Sequence, residues 1–378
     1  MRKFTVASIW GIPIRISVSL VVFLPLLAWL IGSGQQIPLY ADLIQQLSGV
    51  DLDRAVLRAG LTPWVIGVLA AVGLFVSVTI HELGHSWVAR RYGLEIESIT
   101  LWILGGIAAF TSLPREWNRE FWIAIAGPTT SILVGGVCWA ALLVLPGTLT
   151  VVQFVLGWLA IVNVILALFN LLPAFPMDGG RVLRALLARR RPYASATRIA
   201  ARIGVVFALV FAILGVIGFN VILLLLAVFI YGAATTESKT VLMDELLEGI
   251  TVGDIMTTDP HTVSTDTTVA EFGDRMLRER QTVYPVTDRI GEIVGIVTLN
   301  DLKQTKREER ETKTVGTLLR DVPRVDASAD AFDTLVHLGQ AKSPTALVVD
   351  GDSVVGVVSE ADYARAFTIQ RGFEATPM

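Results

Sequence analysis

Several stretches of the chain run without a charged residue for longer than a typical soluble helix, among them 16–31, 64–80, 121–177 and 203–236. A bilayer core needs about 20 mostly apolar residues per helix, so each is a candidate for crossing one. Residues 16–31, with their flanks, predict a first span, and 64–89 a second. The third stretch holds two helices divided by a tight turn at Pro146-Gly147. The fourth is interrupted at Gly218-Phe219-Asn220 and reads as one long helix or two short ones. It starts near Ser195, with Arg198 and Arg202 snorkelling to the interface.

Positive residues gather at Arg2/Lys3, Arg90/Arg91, Arg115/Arg119 and across 181–191, which the positive-inside rule assigns to the cytosol. The opposing loops, 35–62 and the turn at Pro146, carry only Arg54 and Arg58. Six spans return the chain to the cytosol, whereas five would export its C-terminal part. Residues 94–114 fit neither a span nor an ordinary soluble segment. They alternate weakly around Ile99-Thr100-Leu101-Trp102-Ile103 and centre on Gly105-Gly106. Non-helical backbone at membrane depth must line protein or a wet cavity, which predicts a short β-hairpin dipping into the membrane; a plain cytosolic loop is the alternative.

Beyond residue 236 the pattern changes. A polar linker over 237–251 precedes two similar halves, 252–312 and 313–370. Gly295-Ile296-Val297-Thr298-Leu299-Asn300-Asp301 recurs 61 residues later as Gly356-Val357-Val358-Ser359-Glu360-Ala361-Asp362. Each copy follows an apolar strand and a glycine turn (Gly291; Gly351). Composition agrees with the division of labour. Hydrophobic residues make up 53% of the 378 and charged residues 17%, an imbalance confined to 1–236. A net charge of −3 gives no footing to nucleic-acid binding. The single cysteine, Cys138, excludes an intrachain disulfide and a Cys-rich metal site. No small-residue cleavage site follows the first apolar segment, so it reads as a retained span.

Against this background the run His81-Glu82-Leu83-Gly84-His85 stands out, since the chain has only four histidines. On a helix, residues four apart share a face, so both rings can converge on one metal ion, with Glu82 placed to take a proton from water. Ionisable groups in lipid are costly and are normally found where they work. At about 1.5 Å per residue His81 lies about 25 Å from the outer end of its helix, in the inner third of the bilayer. Two histidines leave a tetrahedral zinc one protein ligand short. Asp178 is the first charge after the long uncharged run and falls at a similar depth, where Pro173 and Pro176 break the fourth span. The competing role for Asp178 is to cap a cytosolic helix over 182–188.

These motifs resemble the site-2 protease family of intramembrane zinc metalloproteases: His81-Glu82-Leu83-Gly84-His85 on one span, and 170–180 closing another. The likeness covers about 1–236 and implies that His81, His85 and Asp178 are zinc ligands and Glu82 the general base. It also implies that Asn170 steadies the substrate carbonyl and that Gly105-Gly106 belongs to a membrane-dipping strand presenting substrate by edge pairing. Ala126-Gly127-Pro128 matches a family motif, while Ser131 and Met177 depart from the Asn and Leu often found there. Residues 252–370 resemble a tandem pair of CBS domains. There Thr298/Asp301 and Ser359/Asp362 have the spacing of residues that contact the ribose or phosphate of an adenosine nucleotide; helix capping is their alternative role.

The expected fold class is therefore an α-helical polytopic membrane domain of six transmembrane helices with a short hairpin, followed by an α/β tandem CBS module. The expected function is a zinc endopeptidase of the cell membrane, both termini and the CBS pair cytosolic. It cleaves transmembrane segments of membrane-anchored substrates such as anti-sigma factors, under nucleotide control, with a homodimer formed through the CBS pair. A CBS-gated transporter using intramembrane His and Asp as an ion path is the competing class. Glu82 between the histidines speaks against it, because an ion path does not require that residue.

Overall fold

The computed structural model describes residues 3–33, 36–103, 105–110, 116–279, 281, 283–341, 343–351 and 353–374. Arg2 and Arg115, counted above among the inner-side charges, lie outside them, as do 104 and 111–114 of the expected hairpin. Two compact units divide the chain, Met1–Lys239 and Thr240–Met378.

The first unit opens with strands β1 (Lys3–Ile9) and β2 (Ile12–Ser17), joined through Trp10 and Gly11, both at positive φ. Helices α1 (Val18–Ser33), α2 (Gln36–Ser48), α3 (Arg54–Arg58) and α4 (Thr62–Arg91) follow, then β3 (Ile96–Trp102) and β4 (Gly105–Phe110). The chain continues through α5 (Trp117–Val144), α6 (Thr150–Asn170), α7 (Asp178–Ala188), α8 (Tyr193–Ile217) and α9 (Val221–Leu246). The four strands form one sheet in the order β1-β2-β3-β4, with β2 and β3 parallel and the other pairs antiparallel, so β4 is an edge strand. Ile12, Ile14, Ile99 and Leu101 point from this sheet onto Leu20 of α1 and Phe75 and Val78 of α4.

Two expectations change here, the start of the first helix and the extent of the linker. Ile16 does not begin a helix; it is a strand residue paired with Phe4 and Leu101, and α1 starts at Val18. The alternation of Ile12, Ile14 and Ile16 with Pro13, Arg15 and Ser17 has a period of two, and the burial follows it through Ile12 to Arg15 before Ser17 turns inward. The stretch 237–251 is no linker over its first part, because α9 continues through Leu246 with no proline or glycine to stop it between 233 and 246. Among the described residues, five helices (α4, α5, α6, α8 and α9, with one turn of 3-10 helix before α6) are long and apolar enough to cross a membrane. The count becomes six only if α1 and α2, bent by 69° at their junction, act as one span. The 203–236 stretch resolves into two helices broken at Gly218-Phe219-Asn220, where Phe219 takes φ 47°.

The second unit contains α10 (Val252–Ile255), β5 (Thr257–Thr258), β6 (Val263–Ser264), α11 (Val269–Glu279), β7 (Val283–Thr287), β8 (Ile293–Thr298) and α12 (Leu299–Gln304). The pattern returns as β9 (Arg324–Asp326), α13 (Ala331–Ala341), β10 (Thr345–Asp350), β11 (Ser353–Ser359) and α14 (Glu360–Glu374). Each half builds a sheet in which one parallel pair (β6/β7; β9/β10) adjoins an antiparallel hairpin (β7/β8; β10/β11). The halves also exchange segments. β5 from the first half pairs with β11 of the second, and Arg320, preceding the second half's first strand, bridges to Ile296 of the first.

The recurring glycine of the repeat explains how the exchanged segment fits. A Cβ on Gly295 would press against the Arg320 carbonyl oxygen, and one on Gly356 against that of Thr257. Gly356→Val is expected to cost about 1–3 kcal/mol by overpacking this crossing. Gly339→Ala, in helix α13 with nothing near the added methyl, should be neutral or stabilising by up to about 1 kcal/mol. Thermal unfolding of the full chain distinguishes the two.

Candidate metal centre

Helix α4 turns one face inward along its whole length, through Ile66, Ala70, Ser77, His81, His85 and Ala89. The four-residue spacing that buries the first members of this stripe also buries the two imidazoles, 4% and 5% exposed. Their Nε2 atoms lie 3.2 Å apart, with the ring planes at 82°. Asp178 is the first residue of α7, preceded by Met177 as N-cap. Its Oδ2 lies 3.2 Å from His81 Nε2 and 3.3 Å from His85 Nε2. Ligand atoms bound to a tetrahedral zinc at about 2.0–2.1 Å are about 3.3–3.4 Å apart, so the three donors stand at the separations such an ion requires. Among the described residues this is the one group of three or more His, Cys, Asp or Glu side chains able to hold a metal.

The far sides of both rings are also fixed. His85 Nδ1 lies 2.7 Å from the Ile123 carbonyl oxygen. A carbonyl only accepts, so Nδ1 carries the hydrogen and Nε2 presents its lone pair inward. His81 Nδ1 lies 2.9 Å from Ser131 Oγ, and the same tautomer makes the hydroxyl the acceptor. Between those partners on α5 sits Gly127, where a Cβ would overlap His85 Nε2 and lie 2.7 Å from His81 Nε2. Ile123, Gly127 and Ser131 recur at intervals of four and form one face of α5. A backbone carbonyl leaves no mark in a sequence, yet this spacing was visible around the Ala126-Gly127-Pro128 motif. A further tie runs one turn above the site, where the buried Asn163 of α6 donates to Ser77 Oγ at 3.0 Å.

Glu82, beside the three donors, lies under the edge strand. A Cβ on Gly106 would overlap Glu82 Cγ and approach its Oε1 to 2.9 Å, so β4 crosses directly over this carboxylate. Gly105, at the start of β4, takes φ 134°. Asn170 is the last residue of α6, half-buried, and its side chain makes no hydrogen bond to a described residue.

The four candidates of the second unit are placed differently. The backbone amide and hydroxyl of Thr298 donate to Asp301 Oδ2 at 2.9 and 2.6 Å. Ser359 treats Asp362 Oδ2 in the same way, at 2.9 and 2.7 Å. Both pairs are helix caps, and both aspartates are buried. Their remaining oxygens hold the exchanged segments: Asp301 pairs with Arg320, and Asp362 accepts from Thr257 Oγ1 at 2.9 Å. Thr298 and Ser359 face one cleft of about 670 Å³ between the halves, with Asn300, Lys303 and Arg320; Asp301 and Asp362 are not part of its lining.

Gly127→Ala alters no donor atom but puts a methyl against both Nε2 atoms, so it is expected to abolish metal retention in elemental analysis of purified protein. Ser131→Ala removes only the acceptor for His81 Nδ1 and should weaken metal affinity by about tenfold or more.

With the site in view, comparison with known proteins is informative. The model of peptidase family M50 matches residues 69–211, and that of the CBS domain matches 252–307. Rip3 of Mycobacterium tuberculosis is 38% identical over 333 residues, covering 83% of this chain and 84% of that protein. A zinc metalloprotease of Methanocaldococcus jannaschii is 36% identical over 305 residues, covering 78% and 84%. The solved site-2 protease from the same archaeon is 33% identical, covering 63% of this chain and 95% of its own, with a TM-score of 0.42. The chain belongs to peptidase family M50, the site-2 proteases, and is a zinc metalloprotease carrying a CBS domain.

Proposed function

We propose that this chain is an intramembrane endopeptidase that cuts transmembrane segments of membrane-anchored proteins. The observation that carries this reading is the position of Glu82, beside a three-donor site and beneath the edge strand β4. His81, His85 and Asp178 would hold the ion, and their two nitrogens and one oxygen suit zinc. Once bound, zinc acidifies a water molecule and polarises a carbonyl.

The remaining chemistry belongs to side chains. Glu82 takes the proton of the attacking water and returns it to the leaving amide nitrogen. Asn170, its amide uncommitted, donates a hydrogen bond to the developing oxyanion, a contribution of about 3 kcal/mol. A transmembrane helix conceals its peptide carbonyls in its own hydrogen bonds. Pairing of an unwound stretch with the free edge of β4, near Gly105 and Gly106, would expose one of them above Glu82.

The same proposal places the catalytic part over 1–236, with six spans and both termini in the cytosol, the α1–α2 pair serving as one bent span. The two CBS repeats, 252–312 and 313–370, would take an adenosine nucleotide in the cleft lined by Thr298, Ser359, Lys303 and Arg320, and would dimerise. Asp301 and Asp362 support that cleft from behind as caps. An anti-sigma factor fits the substrate class. The ion-path reading of His and Asp gives way to a peptidase role, given the family.

Glu82→Gln is expected to retain one metal ion per chain while cleavage of a transmembrane reporter peptide in detergent or vesicles falls by at least a hundredfold. Asp178→Ala is expected to lose both the metal and the activity. Cleavage by the Gln variant at the parent's rate would remove Glu82 from the mechanism.

A further inference from the structure

One buried charge is not used by the chemistry above. Arg184, on α7 six residues after Asp178, is 2% exposed and among the largest fully buried side chains of the molecule. Its Nε and Nη2 lie 2.7 and 2.6 Å from Glu120 Oε1 on α5, and its Nη1 lies 2.6 Å from Glu237 Oε1 on α9. The guanidinium also lies over two aromatic rings, 4.9 Å from Phe175 and 4.8 Å from Tyr193. Phe175 belongs to the non-helical segment that delivers the chain to Asp178.

Helix α7 also packs through Leu183, which joins a cluster with Phe175, Ala200, Ala201 and Ala234, and through the close approach of Gly179 and Gly180 to the backbone of Leu171 to Phe175, but none of these contacts is directional. Its other fully buried residues are Gly179, Gly180 and Ala185, none of which offers a large apolar surface. Meanwhile α5 orients both histidines, His85 through the Ile123 carbonyl and His81 through Ser131. Glu120 lies three residues before Ile123 on the same helix.

We infer that Arg184 is a positioning residue: its paired bonds to Glu120 register α7, and with it the Asp178 carboxylate, against the helix that already sets both imidazoles. The inference rests on the reading of His81, His85 and Asp178 as the metal ligands. The bond to Glu237 adds α9 to the arrangement, two residues before Lys239, where the first unit ends. Placement of the third donor therefore responds to α9 as well as to α5.

The test measures zinc affinity by competition with a chromophoric chelator, and donor geometry by the visible absorption of the cobalt(II)-substituted protein. The full-length chain in detergent is used throughout. Glu237→Gln removes one charge of a half-exposed partner, and Arg184→Lys keeps the charge but loses the planar fork. Both are expected to weaken zinc binding, Arg184→Lys by about tenfold or more, and to alter the cobalt spectrum. The double variant Arg184→Met/Glu120→Gln replaces the buried pair with neutral groups of similar size, a change that often preserves folding. It should be folded, yet show the same loss of affinity. Parental zinc affinity and cobalt spectrum in the folded double variant would overturn the proposal; should that variant not fold, parental values in both Glu237→Gln and Arg184→Lys do so. A parent whose metal binding is indifferent to His81→Ala would instead overturn the ligand assignment on which the inference rests.

Discussion

Two imidazole nitrogens and a carboxylate oxygen, each about 3.2 Å from the next, are lone-pair donors facing one another in a buried space. Such an arrangement is repulsive unless a proton or a cation stands between the atoms, and burial removes the water that would otherwise screen it. The surroundings suit a cation. Both outer nitrogens have acceptor partners that hold the neutral tautomer, and Gly127 keeps the space free of a side chain. The rest of the first unit can be understood as the means of keeping these three donors together.

Helix α5 is the common reference. It carries the partners of both histidines, the glycine beside them, and Glu120, which reaches α7 through Arg184. An ion pair this deep is weak evidence for stability, because desolvation offsets most of its attraction. Its value lies in direction: a planar fork held at two carboxylates and against two rings adds an angular restraint that small apolar side chains do not supply.

The sheet adds a second constraint. An edge strand offers unpaired backbone groups, which in an apolar setting must find a partner. β1 and β2 cover one side of the hairpin made by β3 and β4, leaving the free edge on β4, next to Glu82. The site is therefore joined to a surface suited to an extended peptide. In the second unit, by contrast, the residues that most suggested ligand chemistry are engaged in holding the fold. Asp301 and Asp362 cap helices and clasp the exchanged segments, leaving the neighbouring Thr298 and Ser359 to face the cleft.

The local half of the candidate metal site was legible because its spacing is local: four residues make one helical face whatever surrounds the helix. Asp178 was legible for another reason, as the first charge after a long apolar run, although 97 positions separate it from His81. Pro146-Gly147 and Gly218-Phe219-Asn220 marked true helix ends, since breakers act on their own backbone. What only the tertiary structure decided involves partners that leave no pattern in the chain. The Ile123 carbonyl is common to every residue type, Ser131 looked like a departure from a motif, and Arg184 resembled any basic residue near a membrane face. The N-terminal strands were hard to see because Ile12, Ile14 and Ile16 are as apolar as the helix that follows and their alternation is short, and pairing with β1 and β3 separates strand from helix. Spacing along one helix is set by bond geometry and travels with the sequence, whereas contacts between helices depend on which faces meet, and that is settled only when the chain packs.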